Sequence, residues 1–259
     1  MRIVDLVPRR RAAYALLLAA GMAAIALLEA AYLGMTALAP LTTDGRVAAF
    51  DLEGEGSLAV WFSSATLESA ALAALAAWAI RRHTPDQAPG QAAPRILLVA
   101  AACWLVMSID ECGSLHEAFK ELMSRGTGSR LHGDGTLWWV IAYGIVLSVV
   151  GCRLVWELRR APDAVAALFA AAACYAVAVM AELAWIIPHK GQTEVMLEEG
   201  CEMLGNVCLL LSMGLCARHA AISAENLAQS RLTRASEPRP PAKPAFAYAN
   251  VELAGTSHG

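Results

Sequence analysis

Residues 96–121 read ILLVAAACWLVMSIDECGSLHEAFKE and decide the fold class of this chain. The stretch begins with an apolar run and ends in acids and a histidine. A helix that crosses a bilayer needs about 20 mostly apolar residues. The whole chain is 58% hydrophobic, with a mean hydropathy of +0.49, whereas soluble domains hold roughly 45–50% apolar residues. The stretch therefore predicts a membrane-spanning helix with ionisable groups near one end.

Five further segments have the same length and apolar character, which predicts an all-α polytopic bundle. We assign residues 1–219 to this transmembrane domain and the Pro-rich residues 220–259 to a disordered tail. The first apolar run is about twice as long as the 7–15 residues of a signal-peptide core, so we favour an uncleaved first span. The six predicted spans are 12–37, 58–80, 96–121, 136–157, 164–187 and 194–217.

The distribution of positive charge predicts the orientation. With these six spans, fifteen of the 20 Lys and Arg residues lie on the side of the two termini and five lie on the other. Cytoplasmic loops carry the excess of Lys and Arg. Both termini are therefore predicted to be cytoplasmic, in a bacterial cytoplasmic (inner) membrane.

We single out nine carboxylates inside the predicted spans or at their mouths. Eight of them fall in the outer half of the membrane, facing the periplasm or exterior, and the ninth, Glu68, lies deeper as a floor. We count Lys120 with the outer side and expect no Lys or Arg to accompany the acids inside the spans. Such acids persist only when they are protonated, solvated or paired with a cation. The nine are Glu29, Glu68, Asp110, Glu111, Glu117, Glu182, Glu198, Glu199 and Glu202.

A divalent transition metal is the sharpest hypothesis for the missing cation. Carboxylates and imidazoles on facing helices build metal sites in bundles, and this mixture of donors suits Fe, Mn or Zn. Glu111 and Glu199 are predicted to carry protons in catalysis. Neutralisation by protons alone is the rival account, and the roles of His132 and His189 in the outer loops stay open. The predicted metal ligands are Asp110, His116, Glu117, Glu198 and Glu202, with Glu29, Glu68 and Glu182 as further candidates.

Two blocks of the chain resemble known sequences. The blocks SIDECGSLHE, at 108–117, and LEEGCEMLG, at 197–205, resemble segments of uncharacterised multi-pass bacterial membrane proteins. Those proteins carry a Ser-Leu-Asp-Glu…His-Glu helix and a Leu-Glu-Glu-Gly-x-Glu-Met-Leu-Gly helix. The resemblance covers two of the six spans and implies no activity. It does imply that the acids of both blocks, together with His116, belong to one site.

Three functions fit these observations. The first is a membrane-embedded, metal-dependent enzyme that acts on a lipid or quinone-like substrate. The second is a cation- or proton-coupled transporter, although no inverted repeat or broken span supports it. The third is a non-catalytic subunit or assembly factor of a membrane complex. No nucleic-acid motif is visible, so we expect the partners to be bilayer lipid, such a substrate, and copies of the chain or subunits of a complex.

Overall fold

The computed structural model describes residues 3–42, 45–54, 56–84, 95–187 and 191–236. Within these ranges the chain is all-helical, with no strand, which confirms the predicted fold class. Two 3-10 turns, Ala39–Leu41 and Ala48–Phe50, follow the second helix. The helices are α1 Ile3–Leu6, α2 Arg11–Leu38, α3 Leu58–His83, α4 Arg95–Gly113, α5 Leu115–Thr127, α6 Leu137–Leu158, α7 Pro162–Glu182 and α8 Gln192–Ser236.

Six of these helices are long and apolar enough to cross a membrane, as predicted. Their apolar stretches lie close to the predicted spans except at two ends: the third ends at Gly113 instead of residue 121, and the sixth continues to Thr233 instead of residue 217. The six stretches are Arg11–Met35, Leu58–His83, Arg95–Gly113, Leu137–Leu158, Pro162–Glu182 and Gln192–Thr233.

The third predicted span breaks at Ser114. This residue has the left-handed backbone angles φ 47 and ψ 44, and it follows Gly113. The backbone N–H of Ser114 donates to the Asp110 carbonyl at 2.7 Å, and the Asp110 carboxylate accepts from the backbone N–H of His116 at 2.7 Å. The prediction of one helix over 96–121 is therefore wrong beyond Gly113. Glu117 thus lies on a different helix from Asp110.

Helix α5 has an inverted amphipathic pattern. Lys120 and Ser124 are buried, whereas Leu115, Phe119 and Leu122 are exposed at i, i+4 and i+7. Residues at this spacing share one helix face. The apolar face of α5 is thus turned away from the bundle, as in helices that lie in a membrane interface.

Small residues hold the long helices close together. On α3 and α4 the packed side chains are largely alanines, among them Ala70, Ala74 and Ala100, all fully buried. Ser64 and Ser108 exchange hydrogen bonds between these helices, each hydroxyl reaching the other's carbonyl at 2.9 Å. Small and hydroxyl residues are the usual means by which membrane helices approach one another closely.

Contacts between helix ends sort the bundle into a basic end and an acidic end. Arg81 on α3 pairs with Glu157 on α6, and Arg11 on α2 lies 3.2 Å from Asp163 on α7. The predicted site acids lie at the opposite ends of their helices: Asp110 and Glu111 at the end of α4, Glu182 at the end of α7, and Glu198, Glu199 and Glu202 in the first turns of α8. The helices therefore alternate in direction, as an up-down bundle with short connections requires.

Two units divide the chain, Met1–Ala224 and Glu225–Gly259. The first holds the bundle and all the sites considered below. The described part of the second, through Ser236, continues the helical conformation of α8. Residues 237–259 lie outside the described residues, so the predicted disordered tail stays a prediction.

Candidate functional site

Asp110 is the centre of a hydrogen-bonded network at the end of α4. Its Oδ1 atom accepts from the backbone N–H of His116 at 2.7 Å and lies 3.0 Å from the ring Nδ1 of the same residue. Its Oδ2 atom accepts a hydrogen bond from the hydroxyl of Tyr143 on α6. Asp110 is buried, and one carboxylate thus connects three helices, α4, α5 and α6.

Glu111, the next residue, faces α8. Its carboxyl group is hydrogen-bonded to that of Glu202. A hydrogen bond between two carboxyl groups needs a proton, because an ionised carboxylate can only accept. Glu199 lies one turn before Glu202 and within electrostatic range of both acids. The structure therefore brings together three of the predicted acids, from both of the blocks quoted above.

His116 combines this network with aromatic packing. Its ring lies 5.3 Å from that of Trp139, which in turn meets Tyr143 edge to face at 5.8 Å. Burial lowers the pKa of His116, but the hydrogen bond to Asp110 and the charges of Asp110, Glu117 and Glu202 raise it more, so the net pKa is above its usual value. The geometry thus favours an imidazolium paired with the Asp110 carboxylate.

Lys120 supplies a cation that the sequence analysis did not place among the acids. Its Nζ atom lies 2.6 Å from a carboxylate oxygen of Glu117 and 2.6 Å from Asp134, and its side chain is buried. Burial of Asp134 raises its pKa, but hydrogen bonds from Lys120 and Thr136 outweigh this and lower the pKa to about 2. Burial lowers the pKa of Lys120, and its two carboxylate partners raise it above its usual value. The expectation that the acids lack a basic partner is therefore wrong for Glu117.

The other predicted ligands occupy different surroundings. The Glu29 carboxylate lies against Gly200 on α8, where an added Cβ would meet its Oε1 atom. Glu182 lies 3.3 Å from the Thr136 hydroxyl and within electrostatic range of Glu199 and Glu202. Glu198 is partly buried on α8, whereas Glu68 is exposed on α3. The structure thus places Glu29 and Glu182 around the α8 acids but does not place Glu68 beneath them.

In the part of the chain that the structure describes, no three His, Cys, Asp or Glu side chains are positioned to hold one metal ion. His132 is exposed in the loop before α6, with a positive φ of 56, and His189 lies outside the described residues. A divalent ion at Glu111, Glu199 and Glu202 would require these side chains to turn toward a common point.

A cavity of about 680 Å³ adjoins the acids. Sites for drug-sized ligands occupy roughly 300–1,000 Å³. The walls are mainly apolar residues of α6 and α7, and α4 and α8 contribute the remainder. Tyr143 and Glu202 both line it, so each of the two consecutive acids on α4 is hydrogen-bonded to one cavity residue. The lining residues are Trp104, Met107, Val140, Tyr143, Gly144, Leu147, Ser148, Gly151, Cys152, Val155, Leu168, Phe169, Ala171, Ala172, Tyr175, Ala176, Val179, Glu202 and Leu209.

Several groups near the site were not selected from the sequence. Tyr143 and Tyr175 are hydroxyl-bearing residues inside apolar spans, a signal that was present but weak. Tyr175 donates to Asn206 on α8. Glu194, in the first turn of α8, is fully buried, and neither of its carboxylate oxygens has a hydrogen-bond partner in the described part of the chain. No sequence signal separates Glu194 from the other acids of α8.

These features define a multi-pass helical membrane protein with a carboxylate, histidine and tyrosine site beside an apolar cavity. The chain belongs to the family described as Domain of unknown function (DUF8692), whose model matches residues 8–217. This range includes both sequence blocks and every predicted site residue, in agreement with the resemblance to an uncharacterised family. No curated protein and no solved structure matches the chain.

Proposed function

We propose that this protein is a membrane-embedded enzyme that exchanges protons with a lipid- or quinone-like substrate. The observation that carries the proposal is the pair of links between α4 and the cavity, Asp110 to Tyr143 and Glu111 to Glu202. A general acid or base must lie within hydrogen-bonding reach of its substrate. Glu202 and Tyr143 meet this condition for a molecule in the cavity.

The two links have different chemical roles. The Glu111 and Glu202 pair shares a proton, so Glu202 can donate this proton to a bound substrate. Both groups are then carboxylates, and the nearby His116 imidazolium offsets part of the added negative charge. Asp110 and His116 form an ion pair, in which the imidazolium compensates the charge of the carboxylate. Tyr143 is hydrogen-bonded to Asp110 and lines the cavity, so it connects this ion pair to a bound substrate. This division follows the rule that paired titratable groups in unlike environments take acid and base roles.

A divalent metal in place of the shared proton is the alternative form of the proposal. Glu111, Glu199 and Glu202 lie within electrostatic range of one another, and Asp110 and His116 lie beside them. A bound ion would replace the shared proton and act as a Lewis acid toward a substrate oxygen. Glu117 is less suited to this role because Lys120 already neutralises it.

Turnover of membrane lipids tests the enzyme directly. Protein reconstituted in vesicles of a total bacterial lipid extract is incubated, and the extract is profiled by mass spectrometry. We expect the wild type to consume one lipid or quinone component, and Glu202→Gln and Glu111→Gln to lose this activity. Glu157→Gln is the matched control, because Glu157 is ion-paired with Arg81 at the other end of α6.

An unchanged lipid profile with wild-type protein would contradict the proposal. So would equal turnover by the Glu202→Gln and Glu157→Gln variants. The first result would favour proton-coupled transport, for which cation uptake by the same vesicles is the direct measurement, and the second would remove Glu202 from the catalytic site.

A further inference from the structure

The cavity between α6 and α7 is long and open on one side. Its residues on α6 run from Val140 to Val155, which is about 22 Å along the helix at 1.5 Å per residue. Ala172 and Ala176 on α7 are exposed, as are Gly144 and Cys152 on α6. The cavity is therefore a long groove with an opening between two predicted spans, on a surface that a bilayer would cover.

The groove is apolar along most of its length and polar at one place. Four of its residues, Trp104, Tyr143, Phe169 and Tyr175, are aromatic. Aromatic side chains pack favourably against planar rings, in offset or edge-to-face arrangements. The polar groups are chiefly Glu202 and the two tyrosine hydroxyls, so one end of a ligand would meet oxygen atoms and the remainder would meet hydrocarbon.

Trp104 provides a second, independent indication of a ligand. The side chain is 2% exposed and lines the groove, yet its indole N–H has no hydrogen-bond acceptor among the described residues. A buried donor without an acceptor costs about 1–3 kcal/mol. A carbonyl oxygen of a bound molecule would accept this hydrogen bond, whereas a purely hydrocarbon ligand has no acceptor.

The surrounding charge selects against an anionic head. Glu202 lines the groove, and Asp110, Glu111 and Glu199 lie close behind it. A phosphate group at this place would be repelled by several carboxylates in a medium of low dielectric constant. An uncharged head with carbonyl oxygens fits better, since Trp104 and the proton of the Glu111 and Glu202 pair are both donors.

From these observations we propose that the groove between α6 and α7 binds an isoprenoid quinone, with the ring near Glu202 and Trp104 and the chain between the two helices. The inference rests on the proposed function for its chemistry, since it names the substrate class of that site. The binding of the quinone is argued from the groove alone and does not depend on the enzyme activity.

Binding is tested with a benzoquinone that carries a ten-carbon chain. The protein in detergent is mixed with this probe and separated by gel filtration, and the retained quinone is quantified by chromatography. Gly151 lines the groove, and an added Cβ there meets no heavy atom within 4 Å. We expect Gly151→Leu to fill the groove and reduce affinity at least tenfold.

Matched variants separate the groove from general effects. Gly34→Leu makes the same change at an exposed position of α2 where an added Cβ also meets nothing within 4 Å, so binding is expected to stay unchanged. Trp104→Phe removes the indole N–H and keeps an aromatic ring, and we expect about tenfold weaker binding, equal to one hydrogen bond. If Gly151→Leu does not fold, Ala172→Leu narrows the groove from the α7 wall.

Competing lipids decide the ligand class. We expect neither dioleoylglycerol nor phosphatidylglycerol, at tenfold excess, to displace the quinone. Displacement by dioleoylglycerol would show that the groove recognises chains and not a planar ring, and it would overturn the inference. Equal binding by the Gly151→Leu and Gly34→Leu variants would overturn it as well.

The two proposals can fail separately. If the quinone binds in the groove but Glu202→Gln and Glu111→Gln keep full turnover, the proposed catalytic role fails and the binding site stands. If these variants lose turnover but quinone binding does not depend on Gly151, the enzyme stands and this inference fails.

Discussion

His116 reaches the Asp110 carboxylate twice, through its backbone N–H at 2.7 Å and through its ring Nδ1 at 3.0 Å, both at the same oxygen atom. The backbone contact caps α5, whose cap residue Ser114 makes no side-chain capping hydrogen bond. The ring contact is an ion pair when the imidazole is protonated. A structural role and an electrostatic role are therefore combined in one carboxylate.

The ion pair predicts how stability depends on pH. The pKa of His116 is raised in the folded protein, so its contribution to stability is fully present below about 6.5 and is lost as pH rises through the raised value. We expect the thermal unfolding midpoint in detergent to fall as pH rises above about 6.5, through the raised pKa of His116. His116→Gln should flatten this dependence.

His132→Gln is the control, because His132 is exposed in the loop before α6. It should leave the wild-type pH profile intact. A profile that is equally steep in the His116→Gln variant would remove the ion pair as its cause.

Replacement of Lys120 tests the buried cation. Lys120→Gln leaves Glu117 and Asp134 without their shared partner, and we expect the free energy of unfolding to fall by about 1–2 kcal/mol. This is less than the roughly 3–5 kcal/mol for a fully buried pair, because the two acids are 49% and 57% exposed. Arg125→Gln is the control: Arg125 is 84% exposed and 3.7 Å from Glu121. If Lys120→Gln and Arg125→Gln lower the thermal unfolding midpoint equally, the stabilising role of Lys120 between Glu117 and Asp134 is contradicted.

The close approach of α2 to α8 depends on Gly21. An added Cβ would lie 2.9 and 3.0 Å from the two methyl groups of Val207. Valine has little rotamer freedom in a helix, so Gly21→Ala should destabilise by about 1–3 kcal/mol. Gly34→Ala, on the same helix with nothing within 4 Å, should stabilise by about 0.5–1 kcal/mol. Unfolding midpoints that move in the same direction would count against this packing.

Protons and metal make different predictions for the Glu111 and Glu202 pair. A shared proton gives an infrared carboxylic-acid band that disappears in both Glu111→Gln and Glu202→Gln and persists in Glu157→Gln. A metal gives about one or two divalent ions per chain in protein purified without chelators, reduced when Glu111 and Glu202 are replaced. Elemental analysis and infrared spectra of the same sample decide between them. If the protein shows no such band and contains no metal, the hydrogen-bonded Glu111 and Glu202 pair is contradicted.

The orientation of the bundle is open to a direct test. The fifteen-to-five distribution of Lys and Arg predicts that Gly45, Gly133 and Gly191 lie on the external side. Reporter fusions at these three positions should all report that side. A cytoplasmic signal at any one of them would contradict the prediction that the acidic end of the bundle faces the external side.

The sequence predicts the bundle well because apolar run length alone determines which helices can span a membrane. It also places Glu111, Glu199 and Glu202 in one layer, since their depth follows from residue number. It does not predict the break at Ser114, because GSLHE continues a helical pattern and only the left-handed backbone at Ser114 interrupts it. It also does not predict the role of Lys120, because the break at Ser114 places this lysine on a separate helix. A count of charges within spans does not show that its side chain is buried beside the acids. Residue number also does not give helix facing, and Glu68 lies on the exposed side of α3.

The break at Ser114 has one more consequence. Asp110 belongs to a helix inside the bundle, and the helix it caps turns Leu115, Phe119 and Leu122 outward. Adding a proton to Asp110 would weaken its hold on the start of α5 and on Tyr143 together. The protonation state of this one buried carboxylate is thereby connected to the placement of the outward-facing helix α5.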